Sequence, residues 1–324
     1  MGLNFRWLVN AGLLILPVGT TVGVLMGVDS HRQTTGQEPL FNTPSSGPGT
    51  GGGTGNPSDD RITTEVHCEK QTGRIAPTRG VQYILNPNQW GILEDTVGAM
   101  CMHMSLNNNG SYPTPSSAPP FFVTWSYAPG PDTQPVHAFP NVQVVTGLPM
   151  LLSKVKSINL ATEWTYGVGD TPALKTDTAA LTANAVNTNV AVDMFFDADK
   201  NKAKNSSQAA FEVMVWFADI GPAAQVIGLP AGTIATQVIN TTTFELYSGI
   251  NGFKQNVLTW KARNMTETFY GDIAPLITQL NTIPAAKFDG TNLYLGHVGM
   301  GTEAFSATQN VTFSMPVLSV DIGV

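Results

Sequence analysis

The stretch Phe211-Glu212-Val213-Met214-Val215-Trp216-Phe217 (FEVMVWF) decides the fold. Alternation with a period of two puts Phe211, Val213, Val215 and Phe217 on one face of a β-strand and Glu212, Met214 and Trp216 on the other. The first is an ordinary core face. The second sets a carboxylate beside a thioether and an indole, and a lone Glu buried against apolar neighbours is costly unless it is paired or opens into a cleft. A carbohydrate cleft meets both conditions: sugar rings offer apolar C–H faces to Trp and Met while the carboxylate faces the reacting carbon.

Two further acids interrupt apolar strand patterns. Asp193 lies within Asn189-Val190-Ala191-Val192-Asp193-Met194-Phe195, and Glu303 within Gly299-Met300-Gly301-Thr302-Glu303-Ala304-Phe305, whose glycines let the backbone approach a ligand closely. Each acid alone fits a solvent-facing strand or loop position equally well; three of them in apolar strands point to a site. Period-two alternation recurs over residues 143–145, 189–196, 211–217, 243–247, 256–260, 293–298 and 311–322. Turn signals such as Asn251-Gly252 and Asp289-Gly290 separate these runs, which predicts an antiparallel meander. Only Asp272 to Leu280 has apolar residues at helical spacing, with Asp272 as N-cap and Pro275 in the first turn. The coarse expectation is an all-β sandwich with one short helix.

Composition agrees. Of 324 residues, 42% are hydrophobic and only 12% charged, with a net charge of −7. This excludes disorder throughout, a basic nucleic-acid binder and a salt-bridge-laced helical bundle. The 32 Gly and 22 Pro favour short strands joined by turns.

At the amino terminus, Trp7 to Val28 contains no charge and is long enough to cross a bilayer. Residues 1–28 therefore read as an uncleaved signal anchor, touching the membrane, or as a cleaved signal peptide. Residues 29–60 read as a disordered linker, because Thr43 to Ser58 is almost entirely Gly, Pro, Ser and Thr. The folded domain is expected over 61–324, extracellular or at the cell surface. Five N-x-S/T sequons, at Asn109, Asn205, Asn240, Asn264 and Asn310, fit an exported, glycosylated protein. The two cysteines, Cys68 and Cys101, are expected to form a disulfide in that compartment, two buried thiols being the alternative.

A series of elements in chain order carries a resemblance: Cys68, Asn88-Gln89-Trp90-Gly91, Cys101, Trp125-Ser126-Tyr127, Val136 to Asn141 (VHAFPN), Asn189 to Phe195, Phe211 to Phe217, Phe269 to Asp272 and Gly301 to Phe305 (GTEAF). Together these resemble glycoside hydrolase family 12, small endoglucanases and xyloglucanases with a concanavalin A-like β-jelly-roll sandwich. The resemblance implies a retaining endo-β-1,4-glucanase acting on internal bonds of plant cell-wall glucans. A xyloglucan-specific endo-β-1,4-glucanase and a non-catalytic glucan-binding jelly roll are the alternatives. It implies Glu212 as nucleophile, Glu303 as general acid/base and Asp193 as the hydrogen-bonded partner that orients the nucleophile. Retaining enzymes hold their carboxyl pair roughly 5–5.5 Å apart. Trp90 resembles the sugar-stacking platform, with Met214, Trp216 and Trp125 as further substrate-binding residues. No cofactor is implied, the partner is the β-glucan polymer, and a monomer is expected.

The chain departs from the family pattern at Gln71, where a Trp is usual, at His137 for Lys, at Val226-Ile227-Gly228 for Pro-Ile-Gly, at Ala304, and in an insertion between Trp164 and Asn189. Met100-Cys101-Met102-His103-Met104 has the soft ligands of a copper site, but a strand would divide them between two faces, so no metal is expected. Neither a G-x-S-x-G element nor a phosphate-binding glycine pattern is present.

Overall fold

The computed structural model describes residues 61–70 and 73–324. The amino-terminal hydrophobic segment, the linker and Gln71 lie outside the described residues. The strands are β1 (Ile62–His67), β2 (Arg74–Ile75), β3 (Tyr83–Asn86), β4 (Gly98–Asn107), β5 (Phe121–Tyr127), β6 (Asn141–Val144), β7 (Met150–Leu151), β8 (Ser157–Val168), β9 (Asn187–Asp197), β10 (Phe211–Ile220), β11 (Ala235–Ile239), β12 (Thr242–Ile250), β13 (Asn256–Ala262), β14 (Thr268–Asp272), β15 (Tyr294–Gly301), β16 (Ala304–Ser306) and β17 (Val311–Gly323). Two short helices accompany them, α1 (Thr178–Ala183) and α2 (Ala274–Leu280).

These strands form two sheets. The smaller runs β1-β4-β5-β17-β8-β14, and the larger runs β11-β12-β13-β10-β9-β15-β6-β3-β2, with β16 on β9 and β7 on β15. Alternation dictates what lies between them. Val213, Val215 and Phe217 of β10, Val190, Val192, Met194 and Phe196 of β9, and Val298 and Met300 of β15 face Met100, Met102, Met104, Val123, Trp125, Trp164 and Phe313 of the smaller sheet in one buried cluster. Burial of these large side chains is the main source of stability, at roughly 1.5–3 kcal/mol each. The Met100–Met104 run divides as alternation requires, with the methionines in this core and His103 turned away to stack on Phe122 at 4.2 Å.

The larger sheet is not a plain meander. β10 pairs parallel with β13, although both are joined through the β11–β12 hairpin. A parallel return requires the connection from Gly221 to Ile234 to travel back along the length of the sheet. Its Val226 and Leu229 settle on Ala191, Met214, Trp216 and Tyr247, so a second apolar cluster forms on the face opposite the core. Hydrophobic periodicity cannot foresee this, because pairing partners are set by the crossover rather than by the strand itself.

Two helices replace the single one expected. The unforeseen α1 lies in the insertion after Trp164 and is capped by Asp177, whose carboxylate accepts from the Ala179 and Ala180 N–H groups. Six residues are too few for a hydrophobic period to stand out. In α2 the N-cap is Ile273, one residue later than expected, because Asp272 ends β14 and spends its carboxylate on the Ile158 and Ala274 N–H groups at 2.8 and 2.9 Å.

Cys68 and Cys101 are joined in a disulfide that closes a loop with a sequence separation of 33. A loop of that length stabilises by about 3–4 kcal/mol through the unfolded chain. Replacing both cysteines by alanine is expected to lower the urea unfolding free energy by about that amount; an unchanged midpoint would show that other contacts hold the loop.

Candidate active site

β9 lies between β10 and β15, and its register decides which side chains meet. Asp193 stands opposite Met214 of β10 and Gly299 of β15. Glu212 stands opposite Phe195 of β9 and Val257 of β13. Glu303 follows β15, at the turn into β16. Gly301, opposite Ala191, permits the close approach that precedes this turn: a Cβ there would sit 2.0 Å from the Pro140 carbonyl oxygen. Acids from two strands and from the turn after a third are thereby brought together on the side of the sheet that points away from the core.

Both glutamates are surrounded by protein yet remain part-exposed. Glu212 Oε2 accepts from Asn251 Nδ2 at 2.8 Å. Burial drives its carboxyl up to about 7, with the Asn251 hydrogen bond acting in the opposite direction. Glu303 Oε2 accepts from Asn189 Nδ2, and Asn189 Oδ1 accepts the Glu303 backbone N–H at 2.9 Å. Burial first, then the Glu212 charge, raise Glu303 to about 8 against the Asn189 hydrogen bond. Asp193, 6% exposed, is raised well above the carboxylate range by burial, and further by the charges of Glu212 and Glu303. Two carboxyl groups that repel one another in a buried site do not ionise together, so one of the pair carries the charge while the other holds a proton.

The expected hydrogen bond between Asp193 and Glu212 is corrected. Asp193 Oδ1 has no partner, and the amide that holds Glu212 comes from the turn between β12 and β13. The register explains this, since Asp193 is aligned with Met214, two residues along β10 from Glu212.

Trp125 is likewise corrected from substrate contact to support. It is 1% exposed in the core, where its Nε1 donates to the Tyr166 hydroxyl at 2.6 Å. That hydroxyl lies 3.1 and 3.3 Å from the hydroxyls of Thr188 and Thr302. Thr188 Oγ1 donates to the Glu303 carbonyl at 2.7 Å and Thr302 Oγ1 to the Asn189 carbonyl. A buried polar chain thus runs from Trp125 to the backbone of Glu303 and stiffens it from below.

Met214 and Trp216 do share the Glu212 face, but at 6% and 3% exposure they are covered by Val226 and Leu229. Trp216 Nε1 points to Met214 Sδ at 3.4 Å. They pack into the apolar cluster on this face, and a sliver of each reaches solvent. Trp90 is 40% exposed, as a stacking platform must be. Its loop is pinned by Gln89, whose Nε2 donates to the Cys68 carbonyl at 2.8 Å and whose Oε1 accepts from the Tyr127 hydroxyl at 2.8 Å.

The sequon residues Asn205, Asn240, Asn264 and Asn310 are exposed and Asn109 is half-buried. Among the described residues, no group of three or more His, Cys, Asp or Glu is arranged to hold a metal ion, and no helix is long and apolar enough to cross a membrane. Sequence reasoning missed Asn251, Asn189, Thr188 and Thr302 as site residues. Asn251-Gly252 was legible as a turn, but nothing in a turn signal says which distant side chain the turn will meet.

Known proteins agree with this architecture. Residues 81–323 match the family model described as glycosyl hydrolase family 12. A probable xyloglucan-specific endo-beta-1,4-glucanase A of Aspergillus fumigatus is 30% identical over 241 residues, covering 74% of this chain and 86% of that protein. A relative in Phytophthora nicotianae, named inactive glycoside hydrolase XLP1, is 26% identical over 227 residues, 70% of this chain and 81% of that protein. The crystal structure of Trichoderma harzianum endoglucanase 3 superposes with a TM-score of 0.63 at 20% identity, covering 80% of this chain and 98% of that one. The sandwich, the carboxyl-bearing strands and the match over most of the folded region lead to one conclusion: the chain belongs to glycosyl hydrolase family 12.

Proposed function

We propose that this protein is a retaining endo-β-1,4-glucanase with Glu212 as nucleophile and Glu303 as general acid/base. The observation that carries the reading is the meeting of two half-buried glutamates on one side of the sheet, each held by its own asparagine amide, both raised by burial and Glu303 further by the charge of Glu212. Membership of the family alone would leave turnover open, since one relative is named inactive; a carboxyl pair with opposite protonation is what glycoside hydrolysis needs.

The chemistry follows from that pair. The Glu212 carboxylate attacks the anomeric carbon while Glu303 gives its proton to the departing glycosidic oxygen, so the C–O bond breaks as an ester to Glu212 forms. Glu303, now ionised, takes a proton from water; the water oxygen attacks the same carbon and Glu212 is released with the starting configuration restored. Asp193, kept protonated between the two, adds no second negative charge at the anomeric centre. Trp90 offers a face for a sugar ring at the groove's edge. Preference among cellulose-type chains, mixed-linkage glucan and xyloglucan is decided by comparing hydrolysis of the three, with the xyloglucan-specific names of curated relatives favouring a test of that polymer first. The sequons, the disulfide and the apolar amino terminus support an extracytoplasmic place for the folded domain.

Glu212→Ala is expected to reduce release of reducing sugar by more than about 10³-fold while polymer binding persists; undiminished hydrolysis would remove Glu212 from the mechanism. The pH profile of kcat/KM should be bell-shaped and displaced toward neutrality relative to ordinary carboxyls, Glu212 setting the acid limb and Glu303 the basic one. Glu303→Gln should abolish the basic limb and spare substrates whose aryl leaving group needs no proton.

Stability offers a test independent of turnover. The Glu303 carboxyl is raised to about 8 in the folded state, so its favourable contribution is complete below the unfolded value of about 4.3 and is lost as pH rises through 8. Melting temperatures of Glu303→Gln and wild type should therefore be close at pH 4 and diverge in favour of the variant at pH 8. A gap that does not grow with pH would contradict a buried, proton-retaining Glu303.

A further inference from the structure

The turn between β12 and β13 does two jobs with one side chain. Asn251 Oδ1 accepts the backbone N–H groups of Phe253 and Gln255 at 3.0 and 3.1 Å, which closes the turn. Its Nδ2 donates to Gln255 Oε1 and to Glu212 Oε2, each at 2.8 Å. Both amide hydrogens and the carbonyl oxygen are committed, so the group cannot rotate without breaking this set. Gln255 is 3% exposed, and its Nε2 donates to the Ser206 and Ala209 carbonyls at 2.9 and 2.8 Å, tying the turn to the segment that leads into β10.

We propose that Asn251 is a positioning residue for hydrolysis: its amide grips one oxygen of the Glu212 carboxylate, favours the ionised form, and leaves Oε1 free to attack the anomeric carbon. The proposal rests on the reading of Glu212 as nucleophile given above.

The surroundings of Glu212 make this single donor matter. Asp193 faces it from β9 and Glu303 from beyond β15, both acidic. His297, on β15, is a half-buried imidazole held neutral by desolvation. Asp197, at the end of β9, is engaged by the Asp199 and Ala210 N–H groups. β13 contributes Val257 and Thr259, and β12 the Tyr247 phenol, which donates to Glu245. Lys254 of the turn itself is exposed. No ion pair involves Glu212 among the described residues, so the amide is what opposes burial. Without it the proton that belongs on Glu303 can settle on the nucleophile instead, and the productive arrangement becomes scarce.

Two variants separate the donor from the turn. Asn251→Asp keeps the oxygen that closes the turn and loses the N–H donor; Asn251→Ser keeps a shorter acceptor and adds no charge. Carboxyl carbon NMR titration of Glu212, with kcat and KM on a soluble β-1,4-glucan across pH, gives readouts with and without turnover. In both variants Glu212 should titrate about one pH unit higher. The acid limb should move with it, and kcat should fall roughly tenfold with KM little changed. A Glu212 titration unmoved in whichever variant folds, a shift in the Asp variant alone, or a loss of thermal stability with an unaltered pH profile overturns the proposal while an active wild type keeps the functional reading. A wild type that hydrolyses none of the glucans brings down that reading, and the proposal with it.

Discussion

Three carboxyl groups held on one face of a β-sheet cannot all be charged at once, and the rest of the site is arranged around that constraint. Burial raises Glu212, Glu303 and Asp193 together, and their mutual repulsion separates them. One amide is assigned to each glutamate and offsets part of the burial: Asn251 for Glu212 and Asn189 for Glu303. Two chemically identical side chains in such a site do not ionise together, because the charge of one raises the other. Titration of such a trio belongs to the group as a whole, so a change at any member is felt by the others.

A rigid support is needed for groups so costly to bury. β9 supplies it, every residue from Asn187 to Asp197 being buried. On one side it feeds Val190, Val192, Met194 and Phe196 into the core; on the other it carries Ala191, Asp193 and Phe195. The Glu303 backbone is clamped from below through Thr188, Thr302, Tyr166 and Trp125. The wall beside Glu212 is made by a connection that a parallel pair of strands obliges to cross the sheet. Core, clamp and wall are therefore parts of one arrangement that keeps the acids in place against their repulsion.

Much of this was readable in one strand. FEVMVWF divides into core and site faces as alternation requires, and the same rule sends Met100, Met102 and Met104 inward. The acids that interrupt apolar runs were visible because an acid there demands a reason. Trp125 was misread because a large indole is equally at home on a sugar and in a core, and alternation within its own strand does not say which face is which. Asp193 was noticed as an acid in an apolar strand, but the hydrogen bond expected from it to Glu212 is made by Asn251 instead. Helix α1 was missed because six residues leave no periodic trace.

The amino-acid sequence by itself determined the β class, the division of each strand into two faces, the disulfide pair and the identity of the acids, because these depend on residue type and on a period of two within short segments. The tertiary structure alone decided which strands became neighbours, in which register, and beneath which connection. Hydrogen bonds such as Asn251 to Glu212, 39 positions apart, arise only when a crossover brings a turn over a strand end. Protonation, and with it the chemistry, depends on that distance-dependent packing, since burial and charge act through space and not along the chain.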